Sequence, residues 1–249
     1  MATKKESVKQ TPKHPSKEVS VVLPSYNEKD NIAEAIERIS AALGHDLHEI
    51  ILVDDDSPDL TWKIAQDLGN PKVRVIRRTT ERGLASALAR GVSESKGKIV
   101  VWMDCDLGLP PEKLPNLIAP LEEYDVVVGS RYAPGGADKR VWWRASISRI
   151  FNFYAQCILG FYAHDYTSGF IAVKHEVTRA VPLSSQGFGE YFAEFLFKAH
   201  QKGYKITEVG YEYNYRKNGE SKLDTSIWRL FGFGWQYGIR IIAIRLGKK

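Results

Sequence analysis

The chain has 249 residues, 43% of them hydrophobic, enough to bury a full core as one large α/β domain or two small ones. The net charge of +5, with a pI near 9.0, favours anionic partners such as phosphates, a membrane surface or nucleic acid without choosing among them. Two cysteines, Cys105 and Cys157, do not make a disulfide framework, and no Cys/His cluster has zinc spacing.

Met1 to Lys17 is polar, with five lysines, two prolines and no apolar h-region, and reads as a disordered tail rather than a signal peptide. Glu18 to Leu23 predicts a first strand, stopped by Pro24-Ser25-Tyr26-Asn27-Glu28. Asn31 to Leu43 carries apolar residues at Ile32, Ala35, Ile36, Ile39 and Leu43, a helical stripe. Ile50 to Val53 predicts a short strand that runs into Asp54-Asp55-Asp56-Ser57-Pro58-Asp59. A helix over Leu60 to Leu68, an alternating strand over Lys72 to Arg77 and a helix over Gly83 to Ser95 follow.

Ile99 to Met103 is an apolar run suited to a buried parallel strand, and Asp104 and Asp106 stand at its end, before Pro110-Pro111. On an extended chain residues i and i+2 point the same way, so the two carboxylates can converge on one cation, or on a cation and a sugar. The alternative is a solvated turn that happens to hold two acids. Pro111 to Glu123 predicts a helix and Asp125 to Val128 a strand ending at Gly129-Ser130-Arg131. The βαβαβαβαβ order predicts an α/β fold with a mainly parallel sheet and crossover helices, whose ligand lies at the carboxyl ends of the strands. Glu28, Asp54 to Asp56, Asp104 and Asp106 all follow strand ends.

Val141 to Leu159 is aromatic and arginine-rich, with Arg144 and Arg149 flanking Ser146 and Ser148. Asp165 to Phe170 reads as a turn into a short strand, Ile171 to Val173. Tyr191 to His200 predicts a helix with Glu194 inside an apolar stretch, Ile206 to Tyr215 a strand, and Arg216 to Leu223 a polar loop. Ile227 to Leu246 is aromatic and basic. It reads either as an amphipathic segment in the lipid interface or as a core or partner-docking helix. No stretch reaches the roughly 18 uninterrupted apolar residues of a membrane span.

Six motifs stand in one order: Pro24-x-Tyr26-Asn27-Glu28, Asp54-Asp55-x-Ser57-Pro58-Asp59, Asp104-x-Asp106, Gly129-Ser130-Arg131-Tyr132, Thr167-Ser168-Gly169-Phe170 and Gly219-Glu220-Ser221-Lys222-Leu223. This series resembles the dolichyl-phosphate mannose synthase group of glycosyltransferase family 2, which has the GT-A fold, over Val19 to about Leu223. The resemblance implies a GT-A domain over 18–224, between a basic tail at 1–17 and an interfacial segment at 225–249. It implies inverting transfer of a sugar, mannose from GDP-mannose, to dolichyl or another polyprenyl phosphate. By similarity, Pro24, Tyr26, Glu28, Val53 and Asp55 hold the nucleoside. Asp104 and Asp106 bind Mg²⁺ or Mn²⁺, with the Cys105 backbone lining the same site. Arg131, Arg144, Ser148, Lys174, Arg216 and Lys222 grip the donor diphosphate and the acceptor phosphate.

An acceptor that is already a phosphate anion needs no strong base, only positioning and charge neutralisation. Glu194 either orients the acceptor or pairs with a neighbouring cation. Two departures from the family pattern are Gly108, where relatives carry a polar side chain, and Ile171, where many carry arginine. Capping of the following helix is the other reading of Asp54 to Asp56 and Asp59. The alternatives to GDP-mannose transfer are a UDP-glucose-dependent enzyme, a glycan-elongating transferase and a non-catalytic nucleotide-sugar-binding subunit. Nucleic acid is not an expected partner, because the acidic strand ends repel it. The enzyme is expected on the cytoplasmic face of a membrane, held by Ile227 to Leu246 or by a small membrane-anchoring subunit.

Overall fold

Strand β1 (Val19–Ser25) sends Val21 and Leu23 to one face of the sheet and Val22 to the other, and all three are buried. The same alternation divides β2 (Leu47–Asp54), with Ile50 and Leu52 against Ile51 and Val53. A sheet covered on both faces needs such continuous apolar strands. Between them α1 (Ile32–Leu43) buries the five stripe residues read from the sequence. The computed structural model describes residues 16–187, 189–213 and 237–247.

Next come α2 (Thr61–Asp67), β3 (Val73–Arg77), α3 (Leu84–Ser93) and β4 (Ile99–Trp102). The helix expected over Pro111 to Glu123 is split into a 3₁₀ turn, a five-residue α4 (Leu114–Ile118) and a second 3₁₀ turn. One proline stands in the first or second position of each piece, and without an N–H it starts a helix but does not continue one.

β5 (Val126–Ser130) precedes β6 (Ala137–Asp138) and the long α5 (Trp142–Leu159). Then follow β7 (Ile171–Lys174), α6 (His175–Ala180), α7 (Glu190–Gln201), β8 (Ile206–Gly210) and β9 (Glu212–Tyr213). A last helix, α8, covers 237–245.

The main sheet has seven strands in the order β3-β2-β1-β4-β7-β5-β8, and β6 pairs with β9 beside it. All neighbours in the main sheet run parallel except β7, which is antiparallel to both β4 and β5. Six strands therefore end at one edge, and β7 begins there. That edge gathers Tyr26 to Glu28, Asp54 to Asp56, Asp104, Asp106, Arg131 and the 167–170 turn.

Candidate active site

At the β1/β2 end, Pro24 is in register with Val53 and Ser25 with Asp54. Asp54 is fully buried and accepts from Ser25 Oγ at 2.6 Å, Ser57 Oγ at 2.6 Å and Ser57 N–H at 2.8 Å, so it locks two loops together. Asp59 receives Thr61 N–H at 3.0 Å and Lys29 N–H at 3.1 Å, and serves the entrance of α2. Within the acidic cluster these two are structural.

Asp55 takes Arg78 Nε at 2.7 Å and also its Nη2, while its other oxygen accepts Gly83 N–H at 2.7 Å. Each carboxylate oxygen has two lone pairs, so Oδ2 keeps capacity for one further donor. Arg78 is buried, and the sequence reading gave it no role. Its only signal was its place directly after the strand that ends at Arg77. The Val53 and Pro24 side chains are also buried, leaving backbone atoms to face a ligand. Tyr26 is half-buried, with the Arg82 guanidinium 5.5 Å from its ring centre.

β4 ends at Trp102, so Asp104 and Asp106 converge through a turn rather than through strand alternation. Leu107 has φ 60°, and Gly108 N–H donates to Asp106 Oδ1 at 2.9 Å. Cys105 points the other way, its thiol against the Pro24 carbonyl at 3.3 Å. Burial pushes that thiol well above its ordinary pKa, and Glu28, Asp106 and Asp104 push it further, so all three carboxylates lie within electrostatic reach of Cys105. Tyr191 of α7 stands close enough to Asp104 for that charge to add to the upward shift burial gives its phenol.

Past β5, Arg131 does not reach into solvent. It is 5% exposed and its guanidinium meets fully buried Asp165, Nε at 2.8 Å and Nη2 at 2.6 Å, with Thr167 Oγ at 2.7 Å. Burial works against its charge, and Asp165 outweighs this and holds its pKa well above the ordinary arginine value. Asn152 of α5 joins the cluster, donating to Thr167 Oγ at 2.9 Å and accepting Tyr166 N–H at 2.6 Å. Asp165 and Asn152 received no site role from the sequence. An acid opening the Asp165-Tyr166-Thr167-Ser168-Gly169-Phe170 turn was the available signal.

Ser148 lies beside the Tyr132 phenol, and Arg149 stacks over the Tyr132 ring at 5.8 Å. Arg144 lies over Trp143 at 5.1 Å in the first turns of α5. Arg131, Tyr132, Ser148 and Arg149 thus form one neighbourhood. Lys174 is not part of it. Its register partner is Ile99, at the start of β4, and its Nζ binds Asp125 at 2.8 Å, so it occupies the opposite end of the sheet. Antiparallel β7 carries it there, which corrects the expectation that Lys174 grips phosphate. Glu194 pairs with Lys198 at 2.6 Å and Arg240 at 3.4 Å, the second of its two readings. Arg216 and Lys222 lie outside the described residues.

The α8 segment settles on the core through Ile241 and Ile244, with Tyr154 donating to the Gly238 carbonyl at 3.0 Å. Its other face leaves Ile239, Ile242 and Leu246 exposed. No helix among the described residues is long and apolar enough to cross a membrane.

Residues 20–181 match the pattern described as glycosyl transferase family 2. The chain belongs to glycosyltransferase family 2. Among curated relatives, it is 42% identical over 210 residues to a dolichol-phosphate mannosyltransferase of Pyrococcus furiosus, covering 82% of this chain and 59% of that protein. A dolichol-phosphate mannosyltransferase of Saccharomyces cerevisiae is 35% identical over 223 residues, 84% of this chain and 82% of its own. The polyprenol monophosphomannose synthase of Mycolicibacterium smegmatis is 32% identical over 223 residues, 85% and 83% of the two chains. Glucosyl-3-phosphoglycerate synthase from Mycobacterium tuberculosis, solved with Mn²⁺, UDP and glucosyl-3-phosphoglycerate, has a TM-score of 0.71 at 23% identity and covers 94% of this chain and 81% of its own. The same enzyme with Mg²⁺ and UDP gives 0.71 at 22%, covering 94% and 80%. The fold is GT-A, and the protein is a glycosyltransferase.

In this family-2 chain the acidic turn suits a hard divalent cation, because its donors are carboxylate oxygens and no thiolate faces it. Among the described residues no three or more His, Cys, Asp or Glu side chains are grouped to hold a metal by themselves. Two carboxylates leave coordination positions for phosphate oxygens and water. Gly108 fits this cradle, since a Cβ there would stand 3.1 Å from Asp106 Oδ1 and 3.2 Å from the Tyr213 ring. A side chain at this position would require Asp106 or Tyr213 to give way by a few tenths of an ångström.

Proposed function

We propose that this glycosyltransferase moves mannose from GDP-mannose to dolichyl or another polyprenyl phosphate, with inversion at the anomeric carbon. The observation that carries the reading is the division of one sheet edge into an acidic and a cationic part. Glu28, Asp104 and Asp106 stand on the β1/β4 side, and Arg131, Arg144, Ser148 and Arg149 stand across β7. The names of the relatives supply the sugar and the lipid.

Tyr26, Glu28 and Asp55, with the backbone at Pro24 and Val53, hold the nucleoside at the β1/β2 end. Asp104 and Asp106 hold Mg²⁺ or Mn²⁺, which neutralises diphosphate charge and stabilises the leaving group. An oxygen of the acceptor phosphate forms the new bond to the anomeric carbon as the bond to the diphosphate breaks, and GDP leaves with that electron pair. Ser148 and Arg144 orient the acceptor and offset the repulsion between two anions. Arg131, locked on Asp165, contributes fixed positive charge and holds the 165–168 turn in place. Arg216 and Lys222 belong to the same phosphate-gripping set by their motif.

The enzyme meets its acceptor by lying on the membrane that carries it. Trp142 is 80% exposed, Ile150 67% and Phe153 61%, all on α5, with Ile239, Ile242 and Leu246 of 225–249 alongside in type. Arginines interleave these side chains, the composition of an interfacial surface.

Transfer of label from GDP-mannose to a short-chain polyprenyl phosphate, with and without Mn²⁺ and beside UDP-glucose, tests the reading. Mannosyl lipid formed only with metal is expected. Glucosyl lipid alone would replace the donor, and lipid product from neither donor would remove the assignment.

A further inference from the structure

A cavity of about 330 Å³ opens beside Arg131 and is lined by Tyr132, Gly136, Arg149, Asn152, Gln156 and His164. It lies on the far side of Arg131 from the acidic turn, since His164 is fixed to Glu208 of β8, the strand beyond β5. No carboxylate lines it. The Arg131 charge is matched by Asp165, but Arg149 forms no ion pair among the described residues and is exposed over Tyr132. Its charge is therefore the uncompensated one.

His164 directs Nδ1 at Glu208 Oε2, 2.6 Å away. A carboxylate only accepts, so Nδ1 carries the proton and the ring is fixed in place at the cavity wall. Gln156 spends one N–H on the His164 carbonyl at 3.3 Å and keeps another. Asn152 has given its amide to Ser148 O and Thr167 Oγ and acts as wall. Arginine and amide donors around a space lined by no acid suit a tetrahedral oxyanion. Ile150 and Phe153, both exposed, sit on the same helix within one turn of Arg149, where an apolar chain attached to that anion would lie.

We propose that this cavity is a second phosphate site, where the phosphomonoester headgroup of the acceptor lipid docks before it passes Arg131 to Ser148. This rests on the polyprenyl-phosphate reading above for the identity of the lipid, and on the cavity alone for its phosphate chemistry.

The test follows the His164 ring signals by NMR in the full chain, assigned by their loss in His164→Gln. Inorganic phosphate and a short-chain polyprenyl phosphate are titrated separately. Both are expected to shift the His164 signals saturably. Arg149→Gln and Gln156→Glu are each expected to raise the midpoint at least about tenfold, the loss of a charge-assisted hydrogen bond, with thermal stability unchanged. Tighter binding of the lipid phosphate assigns the lipid headgroup, and equal binding assigns free phosphate. No shift with either ligand, or the same midpoint in Arg149→Gln, overturns the site. Shifts at His164 without any sugar transfer would keep the site and remove the polyprenyl reading. Transfer with an unaltered acceptor KM in Arg149→Gln and a silent His164 would remove the site alone.

Discussion

Arg131 and Asp165, 34 residues apart, close a two-point ion pair from which water is almost excluded. Asp165 also accepts Arg131 N–H at 3.0 Å, so one carboxylate fixes both the backbone and the side chain of the arginine. Removing Asp165 leaves the buried guanidinium with only the longer contact to Asp138 at 3.7 Å, at a cost of up to about 3–5 kcal/mol. Asp165→Asn is therefore expected to lower the thermal midpoint by about 2–4 °C per kcal/mol lost. An unchanged midpoint in calorimetry would show that water reaches the pair.

Asp106 is held by Gly108 N–H, and Gly108→Ala places a methyl group against its Oδ1 and against Tyr213. The carboxylate must shift, while the backbone at 108 stays in a region open to alanine. Gly108→Ala should weaken Mn²⁺-dependent transfer with a thermal midpoint close to the parent. Asp106→Asn should lower kcat by about 10²–10³, the scale of one electrostatic contact to a developing charge. Full activity in Asp106→Asn would end the metal assignment.

Lys174 lies at the far end of the sheet, so Lys174→Met should leave sugar transfer intact and affect stability alone. Burial raises the Asp125 pKa, but the hydrogen bonds from Lys174 and the Lys205 backbone and the two lysine charges together outweigh it, so the folded value lies below the ordinary 3.8. A depressed carboxylate pKa contributes stability above its unfolded value and loses it as pH falls through the folded one. The midpoint gap between parent and variant should thus be widest at neutral pH and close below about pH 4. The pair is partly exposed and should contribute no more than about 1 kcal/mol. Midpoints measured over a pH series check both points.

Trp142 and Ile242 are 80% and 45% exposed and belong to neither buried core cluster. Trp142→Glu with Ile242→Glu should leave the thermal midpoint unchanged and reduce sedimentation with phospholipid vesicles. A fully buried large apolar side chain contributes about 1.5–3 kcal/mol, so a drop of at least about tenfold is expected. Unchanged sedimentation would place the lipid-facing surface elsewhere.

The sequence periodicity located the strands and helices well because an apolar stripe reports which face is buried. Direction is not carried by periodicity. Ile171 to Val173 reads as a strand whichever way it runs, and only its pairing with Ile99 to Trp102 sends Lys174 away from the ligand edge. Asp104, Asp106 and Glu28 were legible because strand ends in such a sheet face the ligand. Arg131 was legible as a motif residue, but its commitment to Asp165 depends on a contact across 34 positions. The same limit hid Arg78, whose carboxylate lies 23 residues earlier. The α5 helix reverses the usual pattern, burying Asn152 and exposing Phe153, because the buried polar cluster needs the amide more than the core needs the ring.

Without β7 the sheet would be two ribbons, β3-β2-β1-β4 and β5-β8, with no ladder between them. Four residues, Ile171–Lys174, therefore set the span from the acids on the first ribbon to the arginine on the second. Opening of that one strand removes the ladder that joins the two sides while each ribbon keeps its own hydrogen bonds. Amide exchange along β7 is then a gauge of how firmly the two ribbons are joined.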